Sequence, residues 1–161
     1  MRRIDLLAQA CDPATLTVGQ LMQDALFTCT PRTDALTIGR LMTKQNFGGL
    51  PVIGETGDLV GLVTEYDLLQ AMIEGRDLRK VLAADIMTTH PLTAREDMRL
   101  EEVANLFQDR YVTRLPVVRG ALLVGIVARR DLLHGYMKAS ECLQCFRVIV
   151  ILVLVSRGGR V

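Results

Sequence analysis

The sequence predicts an α+β fold in which two β-α-β-β-α units pack sheet to sheet about a pseudo-twofold axis. Two observations carry that prediction. The chain repeats itself: Met22–Ile53 aligns with Met87–Val118 at a constant offset of 65, and after one residue is lost in a turn, Leu59–Leu69 aligns with Leu123–Leu133 at an offset of 64. In the second block LVGLVTEYDLL faces LVGIVARRDLL with seven identities in eleven positions, and ordered self-similarity of this kind is the signature of a duplicated structural unit. Each copy is also too small to bury much of its own surface, whereas half of all residues are hydrophobic. Two copies packed together resolve that shortage.

The elements follow in the same order in both copies. A short apolar strand surrounds Thr28 and, in the second copy, Thr93. An amphipathic helix follows over 34–45 and 100–110; Leu100, Val103, Ala104 and Phe107 keep helical spacing, and Asp97 stands where a helix-start residue belongs. Two apolar runs come next, LPVI and LVGLV, separated by Glu55-Thr56-Gly57-Asp58. In the second copy LPVV and LLVGIV flank Arg119-Gly120-Ala121. Both pairs read as hairpins with a glycine in the turn. A last helix starts after Thr64 (Ala128) and carries Leu68, Leu69 and Met72 (Leu132, Leu133 and Tyr136). The resulting division is an N-terminal segment 1–16, repeat 1 over 17–74, a linker 75–80, repeat 2 over 81–138, and an apolar tail 139–161.

Charge and motifs narrow the function. Acidic and basic residues nearly cancel at net charge +1, which argues against a dedicated nucleic-acid binder. Sixteen of the nineteen basic residues are Arg; composition explains this as well as a need for bidentate anion contacts does. No phosphate-binding glycine loop or dinucleotide fingerprint is present, and no nucleophile triad stands out, so no catalytic residue is expected. Cys142-x-x-Cys145 is one pair without the four ligands that tetrahedral zinc requires, and no metal is expected. The N-terminal apolar stretch is broken by Asp5, Gln9 and Asp12, unlike a secretory leader. Reduced thiols and a cytoplasmic location are the expectation.

The ordered motifs resemble the CBS domain family, as a tandem pair (a Bateman module). The resemblance rests on Gly49-Leu50-Pro51-Val52 with Leu59 to Leu69, on Arg114-Leu115-Pro116-Val117-Val118 with Leu123 to Leu133, and on the openings Val18 to Met22 and Ala84 to Thr88. It covers about residues 17–138. It implies a non-enzymatic regulatory module that binds AMP, ADP, ATP or an S-adenosylmethionine-type ligand in clefts between the repeats. It also implies pairing into a homodimer and signalling to an effector protein, with no cofactor required.

The residues themselves can be weighed beside that implication. Thr64 and Asp67 read as a capping box or, as the resemblance implies, as ribose-binding residues. Asp131 persists in the second copy although Ala128 replaces the threonine, and this favours ribose binding for Asp67 and Asp131. Arg129 and Arg130 fall in the first turn of a helix, where positive charge opposes the dipole unless an anion is present. They are expected to contact phosphate, with Arg114 in reach. Glu65 and Tyr66 hold the matching places in repeat 1, so the Asp67 site is expected to be poorer for phosphate or to select a less charged ligand. The family places adenine contacts at Thr28, Cys29, Leu50 and Pro51 and at Thr93, Ala94, Leu115 and Pro116; these residues also read as ordinary core. The run Val148–Val155 is too short to cross a bilayer and is expected to be buried at a dimer contact. A ligand-free structural dimerisation module and a membrane-associated regulator acting through the tail are the alternatives.

Overall fold

The computed structural model describes residues 12–24 and 26–142. The expectations for Cys11, Cys145 and the apolar run 146–155 lie outside those residues. The α+β architecture of two sheets is as the sequence predicts. After a 3-10 turn at Pro13–Thr15, the helices are α1 (Val18–Leu21), α2 (Ala35–Gln45), α3 (Glu65–Ile73), α4 (Ala83–Ile86), α5 (Leu100–Asp109) and α6 (129–142). The strands are β1 (Gly49–Ile53), β2 (Leu59–Thr64), β3 (Thr88–Thr89), β4 (Ala94–Arg95), β5 (Arg114–Arg119) and β6 (Leu122–Ala128).

Both hairpins form. β1 pairs antiparallel with β2, and β5 with β6. Gly57 (φ 81°) and Gly120 (φ 66°) take the left-handed conformation that the tight turns need. The strand predicted around Thr28 is shorter than expected: it reduces to a single parallel bridge between Cys29 and Val52. Its counterpart β4 has two residues, parallel to β5. Helix α2 starts where the sequence placed it. Asp34 caps it by accepting from the Thr37 amide at 2.9 Å, and this bond, with the one from the Thr37 hydroxyl, lowers the Asp34 pKa. Helix α5 corrects the sequence reading. Its N-cap is Arg99, whose amide is satisfied by the Glu102 carboxylate at 3.0 Å. Asp97 stands outside the helix and pairs with Arg95.

The two copies exchange their openings. Thr88 and Thr89, at the start of copy 2, pair with Leu62 and Gly61 of copy 1. Gln23, at the start of copy 1, bridges to Ile126 of copy 2, with backbone bonds of 2.8 and 3.0 Å. The cores follow the same exchange. Val18, Leu21 and Met22 pack with Val103, Phe107, Leu115 and Val117, while Val81, Ala83, Ile86 and Met87 pack with Ile38, Met42, Leu50 and Val63. The repeated glycines explain themselves here. A Cβ at Gly61 would meet the Met87 sulfur at 2.5 Å, and one at Gly125 would overlap the Met22 sulfur. Each glycine is thus the seat for the opening methionine of the other copy, a close approach only a residue without Cβ permits. The lobes are therefore interlocked rather than merely adjacent.

Among the described cysteines, Cys29 is free and buried, and burial pushes its thiol up to about 11. Cys142 is disulfide-bonded, which corrects the expectation of reduced thiols at that residue. Among the described residues no helix is long and apolar enough to cross a membrane, and no cluster of His, Cys, Asp and Glu could hold a metal ion.

Candidate functional site

Two clefts open where the lobes meet, at pseudo-equivalent places. Both are built on the step from the second hairpin strand into the following helix. That step is fixed in the same way in each copy: the Glu65 amide bonds to the Gly48 carbonyl at 3.3 Å, and the Arg129 amide bonds to the Thr113 carbonyl at 3.2 Å. Residues just past each step then point into the space between the sheets.

The first cleft, about 430 Å3, gathers Arg130 and Asp131 from one copy and Gln23, Phe47 and Glu65 from the other, with Arg114 on its wall. Asp131 is half-buried and held on both oxygens. Its Oδ2 accepts from the Ala128 amide at 2.8 Å and its Oδ1 from Gln23 Nε2 at 3.2 Å. Each carboxylate oxygen has a second lone pair, so this orientation leaves acceptor capacity facing the cleft. The cleft continues into a smaller apolar recess lined by Leu26, Phe27, Phe47 and Ile126. Phe27 and Phe47 pack there with ring centroids 5.3 Å apart and planes tilted by 49°.

The second cleft, about 310 Å3, is lined by Leu62, Thr64, Glu65, Tyr66, Tyr111 and Arg114 among others. Tyr66 takes the place of Arg130, and Glu65 that of Arg129. Tyr111 holds the left-handed conformation at φ 54°, matching Asn46 at φ 56° in the other copy. Asparagine tolerates this region, whereas for tyrosine it costs about 1–2 kcal/mol. Tyr111 is also 89% exposed, so core packing does not require the residue. Both residues end a helix, α2 and α5, and the left-handed turn there is a common helix stop.

The predicted site residues divide clearly. Asp131, Arg114, Arg130 and Arg129 meet at the first cleft. The guanidinium of Arg129 is already engaged, however: Nε donates to the Val112 carbonyl at 2.8 Å and an Nη to the Phe107 carbonyl at 3.0 Å. It closes the end of α5, where backbone carbonyls lack helical partners. Asp67 serves the capping box with Thr64. Its Oδ2 accepts from the Thr64 amide and hydroxyl, both at 2.7 Å, and the Asp67 amide reaches Thr64 Oγ1 at 3.4 Å. Thr64 lines the second cleft; Asp67 is not on its wall. Of the adenine-contact residues, Cys29, Leu50, Pro51, Ala94, Leu115 and Pro116 are buried, and Pro116 alone of them reaches a wall of these clefts. Thr28 and Thr93 are half-buried outside them. Gln23, Phe27, Phe47 and Tyr111 were not singled out by the sequence, and Glu65 and Tyr66 entered only as the residues at the places of Arg129 and Arg130. The repeat alignment held the signal, because positions 46 and 111, and 66 and 130, are matched places with unlike residues.

Known proteins share this arrangement. The family model for the CBS domain matches residues 18–74 and 83–138. An uncharacterised protein of Methanopyrus kandleri is 31% identical over 122 residues, which are 74% of this chain and 62% of that protein. The crystal structure of CBSX2, a protein of Arabidopsis thaliana, in complex with AMP is 32% identical, with a TM-score of 0.67 over 75% of this chain and 96% of that one. The CBS domain pair of protein MJ0100, in complex with 5′-methylthioadenosine and S-adenosyl-L-methionine, is 27% identical, with a TM-score of 0.67 over 74% of this chain and 94% of that one. With an interlocked duplication, two clefts between the copies and a family match over more than half of its length, the chain belongs to the CBS domain family.

Proposed function

We propose that this chain is a non-catalytic sensor that binds a phosphorylated adenosyl ligand, of the AMP, ADP or ATP class, in the cleft of Asp131 and Arg130. The observation that carries this reading is the convergence there of an oriented carboxylate, two arginines and an aromatic recess from both copies. Ribose hydroxyls donate to the Asp131 carboxylate. The phosphate lies beside Arg130 and Arg114, where charge-assisted bonds are the strong ones. The base lies within the cleft itself, against the apolar wall that Phe47 and Ile126 provide, in keeping with the apolar lining of such sites. Related CBS pairs in complex with AMP or with methylthioadenosine and S-adenosyl-L-methionine support the ligand class.

The same reading assigns output to a partner chain. Leu69, Met72 and Ile73 on α3 and Leu133, Tyr136 and Met137 on α6 are exposed apolar side chains. Between α5 and α6 runs an apolar groove of about 700 Å3, lined by Leu100, Ala104, Phe107 and Leu133. These faces suit pairing with a second CBS pair, through which occupancy of the cleft would be passed to an effector.

The test is calorimetric titration of the nucleotide-stripped full chain with AMP, ATP and adenosine, with Asp131→Asn as the variant. Asparagine keeps an acceptor for the Ala128 amide while removing the charge. Saturable binding of AMP or ATP, weakened at least tenfold in the variant and weaker still for adenosine, is the expected outcome. Equal binding of adenosine and AMP would remove phosphate from the reading. No binding of any of the three would leave the dimerisation module as the function.

A further inference from the structure

Positions 23 and 88 are matched places of the repeat, and they hold unlike residues, Gln23 and Thr88. Each directly follows the opening methionine that seats on a glycine of the other copy. Backbone pairing carries both across to the opposite lobe, Gln23 to Ile126 and Thr88 to Leu62. Only the glutamine then reaches the aspartate of that lobe. Gln23 Nε2 lies 3.2 Å from Asp131 Oδ1, whereas the side-chain bonds of Asp67 among the described residues all go to Thr64.

The chemistry of the contact fixes how the amide is turned. An ionised carboxylate only accepts, so Gln23 faces it with N–H and not with its carbonyl. The residue is held at both ends. Its backbone bonds to Ile126 at 2.8 and 3.0 Å, and its tip bonds to Asp131 of the same copy. A primary amide carries a second N–H, and among the described residues nothing else bonds to this side chain. Gln23 lines the cleft with Arg130 and Asp131. A donor with no protein partner therefore stands on the cleft wall, beside the one carboxylate there that can accept from a sugar.

We propose that Gln23 is the residue by which this cleft selects ribose over deoxyribose: one ribose hydroxyl donates to Asp131 Oδ1 and accepts from Gln23 Nε2. This rests on the reading that a phosphorylated adenosyl ligand sits here with its ribose on Asp131. A hydroxyl that donates to Oδ1 still has lone pairs to fill, and the amide bonded to the same oxygen is its neighbour. A deoxyribose in that place strands the N–H and a carboxylate lone pair together. Sites built to bond a hydroxyl reject the analogue that lacks it strongly, because their own polar groups are left unpaired. The donor comes from copy 1 and the acceptor from copy 2, so sugar selection depends on the exchanged openings. Thr88 brings no such amide to Asp67.

The experiment titrates the nucleotide-stripped full chain and its Gln23→Met variant with AMP, 2′-deoxy-AMP and 3′-deoxy-AMP. Methionine keeps the length of the side chain and removes its amide. Gln23 is exposed, so the fold is kept. One of the deoxy ligands should bind the parent at least tenfold more weakly than AMP does. In the variant AMP should lose about fivefold, roughly the contribution of one hydrogen bond, while that deoxy ligand should bind as it does to the parent. The discrimination then shrinks by the same factor. An equal loss for all three ligands would make Gln23 a support for Asp131 rather than a reader of the sugar, and would overturn the proposal. A parent that binds all three alike, or discrimination unchanged in the variant, would overturn it too. In those cases AMP binding that Asp131→Asn weakens would leave the reading of the cleft standing. No binding of AMP to the parent, or binding that Asp131→Asn leaves unaffected, would overturn that reading and this proposal with it.

Discussion

In the Arg130 cleft a carboxylate is held at two oxygens and faced by arginines. At the matching places of the other cleft, Asp67 is turned back into a capping box and tyrosines replace the cation. The backbone framework is the same in both: the second hairpin strand ends, the next helix starts, and the first amide of that helix bonds to the carbonyl just before the first hairpin strand. Each aspartate gives its Oδ2 to the helix start: Asp67 accepts there from the Thr64 amide and hydroxyl, and Asp131 from the Ala128 amide alone. The copies differ in what stands around that carboxylate. Gln23 donates to the second oxygen of Asp131 at the cleft, and Arg130 takes the place that Tyr66 has in the other copy. A duplicated fold can hold its scaffold constant and still diverge in chemistry through such substitutions.

The largest expected effect on the comparison comes from the arginines. Arg114→Ala with Arg130→Ala should weaken AMP by about 3–6 kcal/mol, since bonds to charged groups contribute about 1.5–3 kcal/mol each; adenosine should be nearly unaffected. Titration of both ligands against the double variant measures this, and an equal loss for the two would mean that the arginines shape the cleft rather than contact phosphate. The shared scaffold should fail next. Gly125→Val and Gly61→Val each drive a side chain into the opening methionine of the other copy, and overpacking of this kind costs about 1–3 kcal/mol. Urea unfolding should show similar losses for both. A loss confined to one would mean that the exchanged openings do not bear equally on the two lobes.

A smaller difference should separate the two aspartates. Asp67→Ala removes a reciprocal box and Asp131→Ala a single return bond to the backbone, so Asp67→Ala should cost more by about 0.5–1 kcal/mol. Denaturant midpoints decide it, and a reversed order would show that the Gln23 bond matters more than the hydroxyl. The smallest effect is a gain: Tyr111→Asn, which puts in place the residue that repeat 1 has at its matching helix end, should stabilise the chain by about 1 kcal/mol. Thermal midpoints measure it, and an unchanged midpoint would mean that Tyr111 makes contacts that offset its left-handed conformation.

The duplication, the hairpins and α2 were legible because their causes are local. Offsets of 65 and 64 mark the repeat, glycines mark the turns, and Asp34 marks a helix start. Asp97 misled for an equally local reason. It is a good capping residue by type, but Glu102 reaching back to the Arg99 amide supplied the acceptor instead. The exchange of openings was not legible, since nothing in Met22 or Gly125 alone says that they meet across copies. Arg129 was assigned to an anion from its place in a helix first turn; only the fold brings the Phe107 and Val112 carbonyls to its guanidinium. The aromatic recess was missed because Phe27 and Phe47 sit in loops outside the family motifs and converge only in three dimensions.

The most direct test is a crystal structure of the full chain grown with AMP. The account predicts one AMP in the cleft between the copies, ribose hydroxyls on the Asp131 carboxylate, phosphate beside Arg130 and Arg114, and adenine against Phe47 and Ile126. AMP seated beside Tyr66 and Tyr111, or held with its phosphate away from both arginines, would contradict it.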